Sequence, residues 1–270
     1  MGYPGVDLLL YVLAGAGVGL IVGLTGVGGG SLMTPLLLLL GCPVGTAVGT
    51  DLVYASITKL SALVAHQRQG TVRWGVAFLL SSGSIPSALL SVWWLHQRMQ
   101  TQGGGFPAHL VTSILGSGLI LAAVGLLLRA FFCRGVNDEL VEHGGTEDRI
   151  APLSRLGIVV VGLVLGCLVT LSSVGAGACG TAALLVLCPR LPLVRIVGTE
   201  LAHAVPLALV AGCGHLLLGN VDFLLLCCLS LASLPATQIG ARIGRKMPDA
   251  VLQRILGCLL LGLGIRYAFF

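Results

Sequence analysis

The sequence predicts an all-α polytopic membrane protein of ten helical elements, eight long and two short or re-entrant, arranged as two five-element repeats of inverted topology. Three observations predict it. The 270 residues are 56% hydrophobic and only 9% charged, against about 25% charged in soluble domains, so the chain cannot cover a water-facing surface. Apolar runs of about 20 residues, the length that crosses a bilayer as a helix, recur from end to end. They are leucine-rich and lack period-2 alternation, which excludes a barrel, and backbone groups in lipid must be satisfied within each segment. The third observation is an internal repeat.

Val27-Gly28-Gly29-Gly30 matches Val174-Gly175-Ala176-Gly177 at an offset of 147 residues. After a two-residue length difference the match resumes at an offset of 149. Pro43 meets Pro192, VGTDL (48–52) meets VGTEL (197–201), and His66, Gly70, Val72 and Pro86 meet His215, Gly219, Val221 and Pro235. An order kept this long, with Gly, Pro, His and an acid in matching places, marks a duplication.

The elements follow in sequence. The first run, 6–24, lacks a basic leader and a small-residue cleavage site, so it reads as a span rather than a signal peptide. A short element at 31–41 follows the glycine-rich turn GLTGVGGGS, and spans are expected at 46–66, 73–96 and 107–131. The second half repeats the order at 153–172, a short 178–188, 194–218, 221–243 and 249–269. Between the halves (1–132 and 153–270), residues 133–152 hold five acids, three glycines and two arginines and read as a flexible cytoplasmic linker. Forty glycines suit closely packed membrane helices.

Basic residues fix the orientation. If all ten elements cross, twelve of the fifteen Lys and Arg fall on one side, which places a multi-pass chain in the cell (cytoplasmic or inner) membrane with both termini outside the cytoplasm. Five elements per repeat is an odd number, so the second repeat is flipped. Such repeats are typical of secondary transporters, with a mid-membrane site at discontinuous helices. The ten residues Ser31–Leu40 span only about 15 Å as a helix. The glycine turn before them therefore dips into the membrane, where its amides and the positive helix end face an anion.

At these residues the sequence resembles the TauE/SafE family of sulfite exporters, also called the four-toluene-sulfonate uptake permease group. The residues that carry the resemblance are GLTGVGGGSLMTPLLLLLG with AVGTDL, and LSSVGAGACGTAALL with IVGTEL, covering nearly the whole chain apart from the linker. The resemblance implies movement of sulfite, sulfonate, sulfoacetate or a similar small organic anion across the cytoplasmic membrane, with coupling to the proton gradient. An uncoupled anion channel of the same fold is the alternative reading. Partners are then the anion, protons and the lipid bilayer, without nucleic acid; a homo-oligomer is allowed but not required.

Candidate residues follow from both lines. Asp51 and Glu200 hold the same place in the two repeats, and a carboxylate inside a span is a functional candidate for proton coupling; the plainer alternative is a carboxylate capping helix amides. Lys59 is the one basic residue within a span. It either supplies charge to the anion or snorkels toward the cytoplasmic surface, and its position favours the snorkel. Thr50 and Thr199 either donate to an oxyanion or bond the carbonyl one turn back. Thr25, Gly28, Gly29, Gly30, Ser31 and Thr34 around the first turn, with Ser172, Ser173, Gly175, Gly177 and Thr181 around the second, complete the expected substrate contacts. His66 and His215 read as interfacial residues at span ends. Cys179, like the other eight cysteines, reads as buried packing.

Neither zinc spacing nor CxxC occurs, so no metal or other cofactor is expected. GVGGG lacks the context of a dinucleotide site or P-loop. SITK (56–59) fits an SxxK catalytic pattern but has no partner motifs. Intramembrane His, Asp and Glu are too scarce to suggest an enzyme.

Overall fold

The structure is a computed structural model and describes residues 8–25, 32–101, 107–132, 152–175, 177–188, 191–244 and 249–269. It is all-helical over those residues, with ten helices. The first half carries α1 (Leu8–Thr25), α2 (Met33–Leu39), α3 (Val44–Arg68), α4 (Trp74–Thr101) and α5 (Ala108–Phe132). The second carries α6 (Pro152–Ser172), α7 (Ala178–Leu187), α8 (Leu193–Leu217), α9 (Phe223–Gly244) and α10 (Asp249–Phe269). All ten stand where the apolar runs and their glycine and proline boundaries put them. The first glycine turn and nearly all of the expected linker lie outside the described residues.

Six helices (α3, α4, α5, α6, α8 and α9) carry described stretches long and apolar enough to cross a membrane. The apolar stretches of α1 and α10 are shorter, 9–24 and 256–268. Exposed Phe78, Leu90, Trp93, Val186, Leu217 and Leu231 make the outer surface apolar, as a lipid-facing surface must be. A chain so built is a multi-pass membrane protein.

The main packing partners are α1 with α9, α4 with α6, α5 with α10, and α3 with α8 at the centre. Contacts set their directions. Gly15 backs onto Leu229 and Gly19 onto Ser233, so α1 runs parallel to α9. Gly162 backs onto Leu80 and Gly166 onto Ser84, so α6 runs parallel to α4. Along α3 and α8, Gly49 meets His215, Gly212 meets Val53 and Gly198 meets His66, an antiparallel pair. Tyr54 reaches Ser233 and Thr50 the Asp222 amide, so α3 runs with α9 and hence with α1. The bonds Thr199–Arg73 and His203–Ser84 give α8 the direction of α4 and α6.

Small matched motifs resolve into local physics. α3 and α8 both end in the same hydrogen-bonded cap: Gly70 N–H donates to the Gln67 carbonyl and Thr71 N–H to that of His66, while Gly219 and Asn220 donate to Leu216 and His215. Gly70 (φ 66°) and Gly219 (φ 75°) occupy the left-handed position that such a cap requires. The other pair is the Gly-Thr step. A side chain on Gly49 would strike the Asn220 carbonyl, and one on Gly198 would strike Thr71. One residue on, Thr50 Oγ1 accepts the Asp222 amide at 3.1 Å and Thr199 Oγ1 accepts the Arg73 amide at 3.0 Å. Each half therefore caps the helix that begins just after the other half's glycine turn.

Candidate functional site

Asp51 lies two turns into α3, at the start of α2. Thr34 donates to its Oδ2 from the hydroxyl at 2.6 Å and from the backbone amide at 3.2 Å. Glu200 stands at the equivalent point of α8, its side chain against Gly180 in the first turn of α7 and the Gly177 backbone. Both acids are buried, Asp51 at 0% and Glu200 at 3% exposure. Each short helix thus begins at a carboxylate of its own chain, which complements the positive end of the helix dipole. The anion the sequence leads one to expect at these helix ends is, in this arrangement, supplied first by the protein.

Lys59 is 3% exposed, so the expected snorkel does not form. Two turns beyond Asp51, α3 passes α8, and the Lys59 ammonium lies in charge range of Glu200 first and Asp51 second. The carboxylate from the second repeat is a neighbour that the sequence of one helix does not show. Such a cluster in a low-dielectric interior is tolerated only when its charges face one another.

The second glycine turn, an elbow into α7, borders the cluster. Ser173 holds φ 58°, a left-handed conformation that costs a non-glycine residue of order 1–3 kcal/mol. Its hydroxyl lies toward Asp51 without settling into a hydrogen bond. Gly175 (φ 112°) and Gly177 (φ 128°) carry the chain into α7. Cys179 is buried in contact range of Gly175 and close to Glu200. Four buried polar atoms in this region have no hydrogen-bond partner among the described residues: Asp51 Oδ1, Ser173 Oγ, Glu200 Oε1 and His203 Nδ1. Buried polar atoms are normally satisfied, and a run of orphans around one charged cluster is the mark of a place that takes a small polar guest or water.

Other expected contacts fall differently. The Thr50 and Thr199 hydroxyls are engaged in the caps described above, and Thr199 also donates to the Arg195 carbonyl at 2.6 Å, the local bond weighed against substrate contact. Ser172 donates to the Leu168 carbonyl at 2.6 Å. Thr181 is buried in the first turn of α7. Thr25 ends α1, and Gly28, Gly29, Gly30 and Ser31 lie outside the described residues. His215 is fully buried rather than interfacial, its Nε2–H donating to the Thr170 carbonyl at 2.9 Å; His66 is half-buried against Thr71 Oγ1 at 2.9 Å.

Two pairs were missed from sequence. Tyr54 Oη bonds Ser233 Oγ, and His203 Nε2 bonds Ser84 Oγ at 2.8 Å. They are one pair of positions seen twice, since 149 residues separate Tyr54 from His203 and Ser84 from Ser233. Both ring residues stand three after the acid of their helix, on the same face. The signal was present in the register of the repeat, but Tyr against His reads as a mismatch until the serines are seen. Among the described residues no group of His, Cys, Asp and Glu could hold a metal ion.

The profile of the family described as "Sulfite exporter TauE/SafE" matches residues 11–267. The chain belongs to the TauE/SafE family. It is a membrane transporter of that family. The chain is 36% identical over 261 residues to "Probable membrane transporter protein YjnA" of Bacillus subtilis (strain 168), covering 94% of this chain and 97% of the relative. It is 26% identical over 250 residues to "Probable membrane transporter protein YdhB" of the same organism, covering 91% and 94%. "Probable membrane transporter protein YunE", also from that organism, is 32% identical over 108 residues, covering 40% of this chain and 39% of the relative. No solved structure matches the chain.

Proposed function

We propose that this TauE/SafE chain is a proton-coupled secondary transporter of a small sulfur-containing or organic anion of the sulfite, sulfonate or sulfoacetate type. It works by alternating access between two inverted repeats in the cell membrane, with both termini outside the cytoplasm. The observation that carries the reading is the buried Asp51–Lys59–Glu200 cluster, drawn from both halves where α3 crosses α8 and edged by unsatisfied polar atoms. With all three groups ionised the cluster is one charge negative. An added anion would make it worse by the Coulomb cost of a second unpaired charge. Protons on Asp51 and Glu200 remove that cost and turn each carboxyl into a donor, so anion and proton enter together. The antiparallel run of α3 against α8 and the exchange of caps between halves support the inverted arrangement.

The test is transport into vesicles holding the purified protein under an imposed proton gradient. Labelled sulfoacetate or sulfite is expected to accumulate above its equilibrium level and to collapse with a protonophore. Asp51→Asn and Glu200→Gln are each expected to cut gradient-driven flux by about tenfold or more, about 1.4 kcal/mol. A wild-type protein that only equilibrates the anion, gradient or none, would be a channel and coupling would be lost as a reading.

A further inference from the structure

In the buried site, His203 stands where the first repeat has Tyr54. Its ring is fully buried on α8 and hydrogen-bonded to Ser84 of α4. It stands one turn from Glu200 and in charge range of Lys59; Asp51 and Cys179 are the other titratable groups of the cluster. Where the Ser84 hydroxyl donates to Nε2, its partner at 2.8 Å, the ring's own hydrogen is on the other nitrogen. Nε2 is then the lone-pair nitrogen, and Nδ1 carries the hydrogen. That N–H has no partner among the described residues, and a buried donor without one is costly.

Two comparisons within the molecule sharpen the point. His215, equally buried, also has an unpartnered Nδ1, but its Nε2–H donates to Thr170, so the orphan there is a lone pair that would repel an anion. Tyr54, the repeat counterpart of His203, spends its hydroxyl on Ser233 and has no other polar atom. Among the described residues, only His203 combines burial, a place in the charged cluster and an Nδ1 that can carry the hydrogen.

Resting on the reading of this cluster as the substrate site, we propose that His203 is a substrate-binding residue: its Nδ1–H donates to one oxygen of the transported anion, with Ser84 as the positioning residue that keeps the proton on that nitrogen. Lys59 on α3, His203 on α8 and Ser173 on the elbow then offer donors from three separate elements. Three donors suit a pyramidal three-oxygen head such as a sulfonate better than a planar carboxylate with two oxygens. His203 is thus a determinant of sulfonate over carboxylate.

The experiment titrates the purified full-length protein with methanesulfonate, sulfoacetate and acetate and follows the thermal midpoint, which rises with a ligand that favours the native state. His203→Tyr installs the first repeat's own residue; it keeps a hydroxyl for Ser84 and removes the donor. His203→Gln is the smaller change, and Ser84→Ala leaves the imidazole but releases its tautomer. Wild type is expected to prefer methanesulfonate to acetate. Both His203 variants are expected to lose about ten- to a hundredfold in apparent affinity for methanesulfonate, the range of a hydrogen bond to a charged group, and much less for acetate. Ser84→Ala is expected to fall between, and carries the test alone if neither His203 variant folds. Loss of stability alone would weaken both anions together. Variants that keep the wild-type preference overturn the role of His203 and leave the site reading standing. A wild type stabilised by none of the anions overturns both.

Discussion

Lys59 is buried in charge range of two carboxylates, and removing it leaves them without a counter-charge. Breaking a buried charge arrangement by deleting one partner costs about 3–5 kcal/mol. Lys59→Met is therefore expected to destabilise the protein on that scale in thermal or denaturant unfolding. Adding Glu200→Gln should recover much of the loss, and a cycle of the two single variants and the double would read the coupling directly. If Lys59→Met and Glu200→Gln add without interaction, the two side chains do not meet. Asp51 and Glu200 were legible from sequence because a carboxylate in an apolar run stands out and these two fall in register. The fate of Lys59 was not, because its neighbour comes from the other half of the chain and periodicity along one helix says nothing about that. The threonines were half legible: their place beside the acids was plain, but whether a hydroxyl meets a ligand or an amide depends on which helix end is packed against it.

At the scale of elements, helix existence was the easiest property to read and helix ends nearly as easy. Pro43 and Pro192 sit immediately before α3 and α8, where proline's missing amide costs nothing, and Gly70 and Gly219 close the same helices. The Gly-Thr step was visible as a repeat, but only the packed structure explains it. Thr50→Val and Thr199→Val are each expected to cost about 1 kcal/mol as lost helix caps, while leaving the preference among anions unchanged. Gly49→Ala or Gly198→Ala pushes a methyl group toward the opposite turn, an overpacking cost of about 1–3 kcal/mol. Thermal midpoints measured beside the anion titration separate the two kinds of effect: a threonine variant that altered anion preference at unchanged stability would return Thr50 or Thr199 to the binding site.

For the whole molecule, the decisive property is that the halves complete each other. α1 lies on α9, α6 on α4, and the two central helices on one another, so neither half owns a closed core. Expressed as separate polypeptides, residues 1–132 and 153–270 are expected to be degraded when made alone and to regain anion binding when made together. Recovery of a stable, monodisperse first half by itself would contradict the shared core. Reporter fusions at the two ends are expected to place both on the non-cytoplasmic side. The shared arrangement also has a consequence for biosynthesis. While the ribosome is still making the second half, the Tyr54 hydroxyl is already on an apolar helix with its partner, Ser233, not yet synthesised. Unmet polar groups in hydrocarbon are expensive, so the early helices have reason to linger at the insertion machinery until α9 emerges.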